Sequence, residues 1–331
     1  MINSVRNTVL AIANKNNYGY ISPQDFNLYA KQVQMDMFED YFYAYNNWVN
    51  RENQRSSGKG YADIVKGLEE VIDTFSVRAF LAQVGGYAPG GSFGLNTISN
   101  QYALPSDYYL INKLYYYPKL LITGFTTATI ADKLFDGSGL FNTIPQTLTT
   151  PPVNSIVVNL DDLTQARVLS VDSNNQLTLS ADIMVINEPY AIYSNTSIVK
   201  VERVTQSKIF NLTSSNLTAP TQQFPAYILD GTTITVYPES IQRQGEIQAQ
   251  YIRYPKDPKW TYQNLGGGGT AFPEEPLFDI TQPDYQDFEL PLSDEPTIVA
   301  KICQYIGIEI READVYNFGK SEESLDTQET S

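Results

Sequence analysis

Gly19-Tyr20-Ile21-Ser22-Pro23-Gln24-Asp25-Phe26 marks the start of a helix. Ser22 suits the N-cap, Pro23 suits the first helical position, where a missing N–H costs nothing, and Asp25 sets a carboxylate beside the positive end of the helix dipole. Beyond it, Phe26, Tyr29, Ala30, Val33, Met37, Tyr41, Tyr45 and Trp48 recur at three- and four-residue steps, one apolar stripe on a helix about 40 Å long. Met35, Phe38, Phe42 and Tyr43 fall off that stripe, so the helix is apolar over more of its circumference than one intramolecular contact requires. Two readings follow. The helix is the core of a large domain, or it is shared between its own core and a neighbouring subunit, with Phe26, Tyr29, Met37, Tyr41, Tyr45 and Trp48 as the candidate interface.

A chain of 331 residues with 42% hydrophobic composition can bury a substantial core, and its length predicts two domains or one domain with a large insertion. No run approaches the ~18 consecutive apolar residues that cross a bilayer, and Met1-Ile2-Asn3-Ser4-Val5-Arg6 lacks the apolar centre of a secretion signal. The expected place is the cytosol, or a particle assembled there, with no membrane partner. Histidine is absent and Cys303 is the single cysteine. That inventory excludes disulfides within the chain, His or Cys metal sites, and Ser-His or Cys-His catalysis. Neither a metal nor a cofactor is expected.

The formal charge of −15 is unevenly placed. From Lys259 to Ser331 there are four basic and fifteen acidic residues, a net −11. Tight nucleic-acid binding needs clustered Lys and Arg, so any DNA near this chain should be repelled rather than held.

Residues 1 to 81 read as helical: Ile2 to Asn14, Pro23 to about Arg51, and Tyr61 to about Ala82. The connection Asn53-Gln54-Arg55-Ser56-Ser57-Gly58-Lys59-Gly60 resembles a phosphate loop only at Gly58-Lys59, because Gly60 stands where Ser or Thr must ligate magnesium. Gly85 to Gly91 is a cluster of helix breakers, beyond which strands begin. Residues 120–196 read as an all-β insertion, with one hairpin turning at Ser173-Asn174-Asn175. Tyr227 to Leu229 and Thr233 to Tyr237 flank Asp230-Gly231, a short-hairpin signal, and Glu246 to Tyr254 supplies a third strand, so that the three form a meander. Gly266 to Gly269 reads as a flexible connection.

Residues 273–295 carry eight acidic groups and no basic one. Glu274, Glu275, Asp279, Asp284, Asp287 and Glu289 are the candidate acidic lining of a lumen, or else an outward solvated loop. Their spacing matches no twelve-residue calcium loop. A final helix from about Asp294 to Ile310 places Ile298, Ile302, Tyr305 and Ile306 on one face, and an acidic tail follows Gly319. The fold class is therefore α+β: an N-terminal helical hairpin or bundle, an antiparallel β meander with an all-β insertion, and a C-terminal helix with an acidic tail. The domain reading is 1–119 plus 197–319 as the core, 120–196 as the insertion, and 320–331 as the tail.

Five pieces taken together resemble the structural ring, or neck and tail-tube, proteins of podovirus-type tailed bacteriophages, especially the crAss-like phages. They are Asn14 to Pro23, the aromatic helix, Leu104-Pro105-Ser106-Asp107-Tyr108-Tyr109, Tyr251-Ile252-Arg253-Tyr254-Pro255, and Phe288-Glu289-Leu290-Pro291. The resemblance implies a virion subunit assembled in the bacterial cytoplasm into a homo-oligomeric, twelve-fold ring. Its partners would be the portal protein and other neck and tail rings, with genomic DNA passing through without tight binding. The 24 Tyr and 15 Phe fit such packing between copies. The competing readings are a capsid-decorating or fibre-type binding protein and a glycan hydrolase that uses two carboxylates.

Overall fold

The computed structural model describes residues 1–13, 21–54, 62–85, 99–141, 153–265, 275–309 and 320. The polar connection after Gln54, most of the glycine cluster after Gly85, Gly266 to Gly269 and the acidic tail apart from Lys320 lie outside the described residues.

The chain opens with α1 (Ile2–Ala13), α2 (Pro23–Gln54) and α3 (Ala62–Thr74). The start of α2 forms as its residues dictate. The Ser22 hydroxyl oxygen accepts the Asp25 N–H at 3.1 Å, and its O–H donates to the Asp25 carboxylate. Helix α3 stops earlier than its sequence suggests. Residues expected to be helical as far as Ala82 form β1 (Ser76–Phe80) and open β2 (Ala82–Gln83), because Gln248 to Ile252 pair with the first and Tyr102 and Ala103 with the second. Tertiary pairing outweighs local propensity there.

The strands continue with β3 (Gln101–Ala103), β4 (Tyr108–Tyr116), β5 (Leu120–Phe125), β6 (Ala128–Ile130), β7 (Lys133–Phe135), β8 (Ile156–Asn159), β9 (Gln165–Ser173), β10 (Gln176–Leu179), β11 (Pro189–Tyr193) and β12 (Val199–Arg203). After α4 (Gln206–Thr213) come β13 (Ala226–Asp230), β14 (Thr233–Tyr237), β15 (Ile247–Arg253), β16 (Tyr262–Leu265) and β17 (Glu275–Phe278), and α5 (Glu295–Glu309) follows. The class is α+β.

An eight-stranded sheet has the order β1-β15-β4-β12-β13-β14-β3-β2. Its β13–β14 hairpin turns through Gly231, whose φ of +60° suits glycine. The third strand is not the next one over. β15 lies between β1 and β4, so the expected three-strand meander is replaced by a hairpin and a distant partner. β12 and β13 run parallel, which a tight turn cannot connect, and α4 lies in the crossover between them.

A seven-stranded sheet, β5-β11-β8-β9-β10-β7-β6, is drawn wholly from residues 120–193. Its β9–β10 hairpin pairs Ser173 with Gln176 and turns through Asn174-Asn175. The chain divides into two compact units, Met1–Phe75 with Tyr254–Ser331, and Ser76–Arg253. This cut differs from the one read from composition, because the strands of 120–193 share a unit with the eight-stranded sheet. Within that unit, Phe80 and Tyr117 from the eight-stranded side pack with Ile156, Val158, Leu160 and Tyr193. The rings of Phe80 and Tyr193 lie 5.4 and 6.1 Å from that of Tyr117.

Candidate functional site

The helical unit is organised around Trp260. Its indole Nε1–H donates to Asn3 Oδ1 at 3.0 Å, and the Arg6 guanidinium sits 3.9 Å above the ring centroid. Tyr262 and Phe278 stack on it at 5.6 and 5.8 Å, and Tyr285 meets Phe278 edge-on. Asn27 and Gln34 stand seven residues apart on the inner side of α2, and each amide ties down an extended segment of backbone. Asn27 holds Trp260, while Gln34 donates to the Lys256 carbonyl at 2.7 Å and accepts the Glu289 N–H at 3.0 Å.

The candidate interface residues divide between the interior and the surface. Phe26 and Met37 are buried inside their own unit, together with Ala30, Val33 and the off-stripe Phe38. Phe38 packs on Phe42, Phe75 and Tyr254, so the buried face of α2 is rotated towards it relative to the stripe read from spacing. Tyr29 is half-buried and stacks on Tyr305 of α5 at 5.9 Å. Tyr45 donates to Glu69 of α3 at 3.1 Å. The half-buried Tyr41 has a buried hydroxyl without a hydrogen-bond partner among the described residues. The Trp48 side chain lies outside the described residues, and among those described the large apolar α2 side chains left in solvent are Leu28 and Tyr43.

The acidic segment is bound into the unit. Asp279 Oδ1 accepts the Thr281 N–H and hydroxyl at 2.9 and 2.7 Å, and Oδ2 accepts the amides of Gln282 and Gln263. Those hydrogen bonds, led by Thr281, lower its pKa to about 2. Asp284 pairs with Lys259, whose hydrogen bond holds that carboxyl below its usual range. Burial opposes ionisation of Asp287, but the Met1 ammonium at 2.9 Å and the N–H groups of Ile2 and Phe288 outweigh it and lower its pKa. Glu289 accepts the Lys256 N–H at 2.8 Å. Glu274 and the side chain of Glu275 lie outside the described residues. Four of the six candidate carboxylates thus act as internal fasteners.

Beside Trp260, between the first turn of α2 and the segment around Gln282, lies a cleft of about 380 Å³. Pro23, Gln24, Asn27, Lys259, Thr261, Tyr262 and Asp284 line it as well. Among the described residues of its lining, Lys259 and Asp284 form an ion pair and Asp284 is the one carboxylate, whereas two-carboxylate glycoside hydrolysis uses two. Among the described residues, no group of three or more Cys, Asp and Glu gathers as a metal site, and no helix is long and apolar enough to cross a membrane.

Two of the features that carry large apolar groups in solvent on the sheet unit are a crossover and a turn. On the β12–β13 crossover, α4 buries Ile209, while Phe210, Leu217 and Phe224 are 71%, 94% and 79% exposed. The segment is tied back on itself: Thr218 donates to the Leu212 carbonyl at 3.0 Å, Thr221 and Phe224 exchange backbone hydrogen bonds, and Gln222 reaches Ser240. The second feature is the turn Val185-Ile186-Asn187-Glu188. The Val185 N–H donates to the Glu188 carboxylate at 2.6 Å, the Ile186 N–H to the Thr129 hydroxyl at 2.8 Å, and the Asn187 N–H to the Thr126 carbonyl at 2.8 Å. The side chains of Val185 and Ile186 remain exposed on this fastened backbone. Sequence reading missed both features, although an isolated Phe or Leu inside a Ser/Thr/Asn-rich run is the signal that marks the first.

No protein-family model matches the chain, and no curated protein does.

Proposed function

We propose that this chain is a structural subunit of an oligomeric ring in the portal-proximal neck or tail of a tailed bacteriophage, through which genomic DNA passes. The observation that carries the reading is the crossover between β12 and β13, with Phe210, Leu217 and Phe224 in water on a well-tied backbone. A chain that works alone gains nothing from that display. A neighbouring copy that covers it recovers about 25 cal/mol for each Å² of apolar surface removed from water. The net charge of −15 per copy supports the same reading, because acidic subunits around an axis repel phosphates and leave DNA free to slide. The family resemblance supports twelve copies and a place beneath the portal.

Electron microscopy and mass photometry of the purified protein test this. Closed rings with an axial hole are expected. A combined Phe210→Ser, Leu217→Ser and Phe224→Ser chain should keep its circular dichroism spectrum and stay monomeric. A wild-type protein that remains monomeric at high concentration sinks the ring. A triple variant that closes rings as readily as wild type removes the crossover from the contact.

A further inference from the structure

We propose that residues 242–246 form a proton-operated clasp between the two sheets of the second unit, closed while the Glu246 carboxyl is protonated and loosened when it ionises. The inference stands apart from the ring reading, because it concerns a joint inside one chain.

The geometry of the joint is specific. From the eight-stranded sheet, the Gln83 amide donates to the Gln242 carbonyl at 2.6 Å, the Gln83 N–H donates to the Gln244 side chain at 2.7 Å, and the Tyr102 hydroxyl donates to the Arg243 carbonyl at 3.2 Å. From the seven-stranded sheet, the Tyr193 hydroxyl donates to the Gln244 carbonyl at 3.2 Å. Gly245, at φ +77°, brings the backbone against Val158 and Leu160, and a Cβ there would meet Leu160 Cδ2 at 3.0 Å. The Glu246 carbonyl accepts the Tyr117 N–H at 3.0 Å. Glu246 lies at the end of this segment and is 4% exposed.

That carboxyl has poor support as an anion. Among the described residues its one cationic neighbour is Arg243 of the same segment, with Nε at 3.8 Å and a side chain that is mostly in solvent. The Arg243 N–H reaches it at 3.3 Å. The other titratable groups facing it among the described residues are phenols: Tyr102 from β3, Tyr116 from β4 and Tyr193 from β11. Burial raises the pKa of all three, Tyr116 to about 12, so they stay neutral wherever Glu246 titrates. Burial likewise pushes Glu246 up to about 7, against the downward pull of Arg243 and the N–H groups of Arg243 and Gln242. The chain has no histidine, so the residue that usually senses this pH range is missing, and a buried carboxyl takes its place. An ionised, buried carboxylate is costly without water, and an outward swing of the short 242–246 segment is a motion that admits it.

Amide hydrogen exchange over residues 238–248, corrected for the intrinsic pH dependence of exchange, tests the clasp. Protection in the wild type should fall about tenfold between about pH 6 and about pH 8, while the β9–β10 hairpin holds its protection. Glu246→Gln should protect the segment equally at both pH values. A variant that keeps the wild-type pH response, or a wild type without one, overturns the proposal. Carbon-13 labelling of the glutamates gives a reading that needs no variant to fold. One side-chain carboxyl should titrate near neutrality, and a set that titrates entirely below about pH 5.5 overturns the proposal as well.

Discussion

The side chain of Asn27 grips the backbone of Trp260 at both ends, accepting the Trp260 N–H at 2.8 Å and donating to its carbonyl at 3.1 Å. The amide stands in for a neighbouring strand, and it lets a Trp in an extended segment sit beneath a helix 233 residues away in sequence. Asn27→Ala leaves both backbone groups without partners in a largely buried setting. The expected loss is about 2 to 3 kcal/mol of stability, read from denaturant unfolding followed by tryptophan fluorescence. Asn27→Asp keeps the acceptor and turns the donor into a repelling oxygen, and it should lose at least as much. A change below about 0.5 kcal/mol for both would show that water replaces the amide at no cost.

Tyr41 buries its hydroxyl with no hydrogen-bond partner among the described residues. Removing the oxygen while keeping the ring should relieve that penalty, so Tyr41→Phe is expected to raise stability by about 1 kcal/mol in thermal or denaturant unfolding. Tyr41→Ser deletes the ring and should lower stability by about 2 kcal/mol or more. Assembly supplies a second readout. A Tyr41→Phe chain that folds as well as wild type but forms rings less readily would place the hydroxyl against a neighbouring copy.

Gly124 exists as glycine because of what lies over it. A Cβ there would stand 2.6 Å from both Asp136 Oδ2 and the Tyr190 hydroxyl. Those two groups share a buried hydrogen bond of 2.7 Å, and Asp136 also accepts the Ser138 N–H and hydroxyl. Neither can move without breaking that set. Gly124→Ala should therefore lower stability by about 2 to 3 kcal/mol, measured as a fall in melting temperature of the sheet unit. An unchanged melting temperature would mean that β5 can shift away from β11 without penalty.

How much could be read in advance followed the range of the interactions. The start of α2 at Ser22-Pro23, the turns through Asn174-Asn175 and Gly231, and the span of α5 rest on contacts a few residues apart, and they formed as expected. The third helix ends before the point its sequence suggests, because Ser76 to Phe80 owe their strand conformation to Ile252 through Gln248. Phe38 looked surplus on a helical wheel, yet it is core because Phe75 and Tyr254 converge on it. Asp279, Asp284, Asp287 and Glu289 looked like a solvated acidic run, and three of those carboxylates grip groups far along the chain: Lys259, the Met1 ammonium and the Lys256 N–H. Glu246 looked like the first residue of a strand, with nothing nearby in sequence to announce its burial.

The order of residues alone determined the α+β class, the helix start, the hairpin turns, the absence of histidine chemistry and the acidity, since each depends on composition or on backbone preferences within a turn or two. Only the tertiary structure decided which strand neighbours β15, which aromatic rings are core and which stay in water, and which carboxylates are fastened. Burial and pairing belong to residues that meet across hundreds of positions, and no local pattern encodes who those partners are.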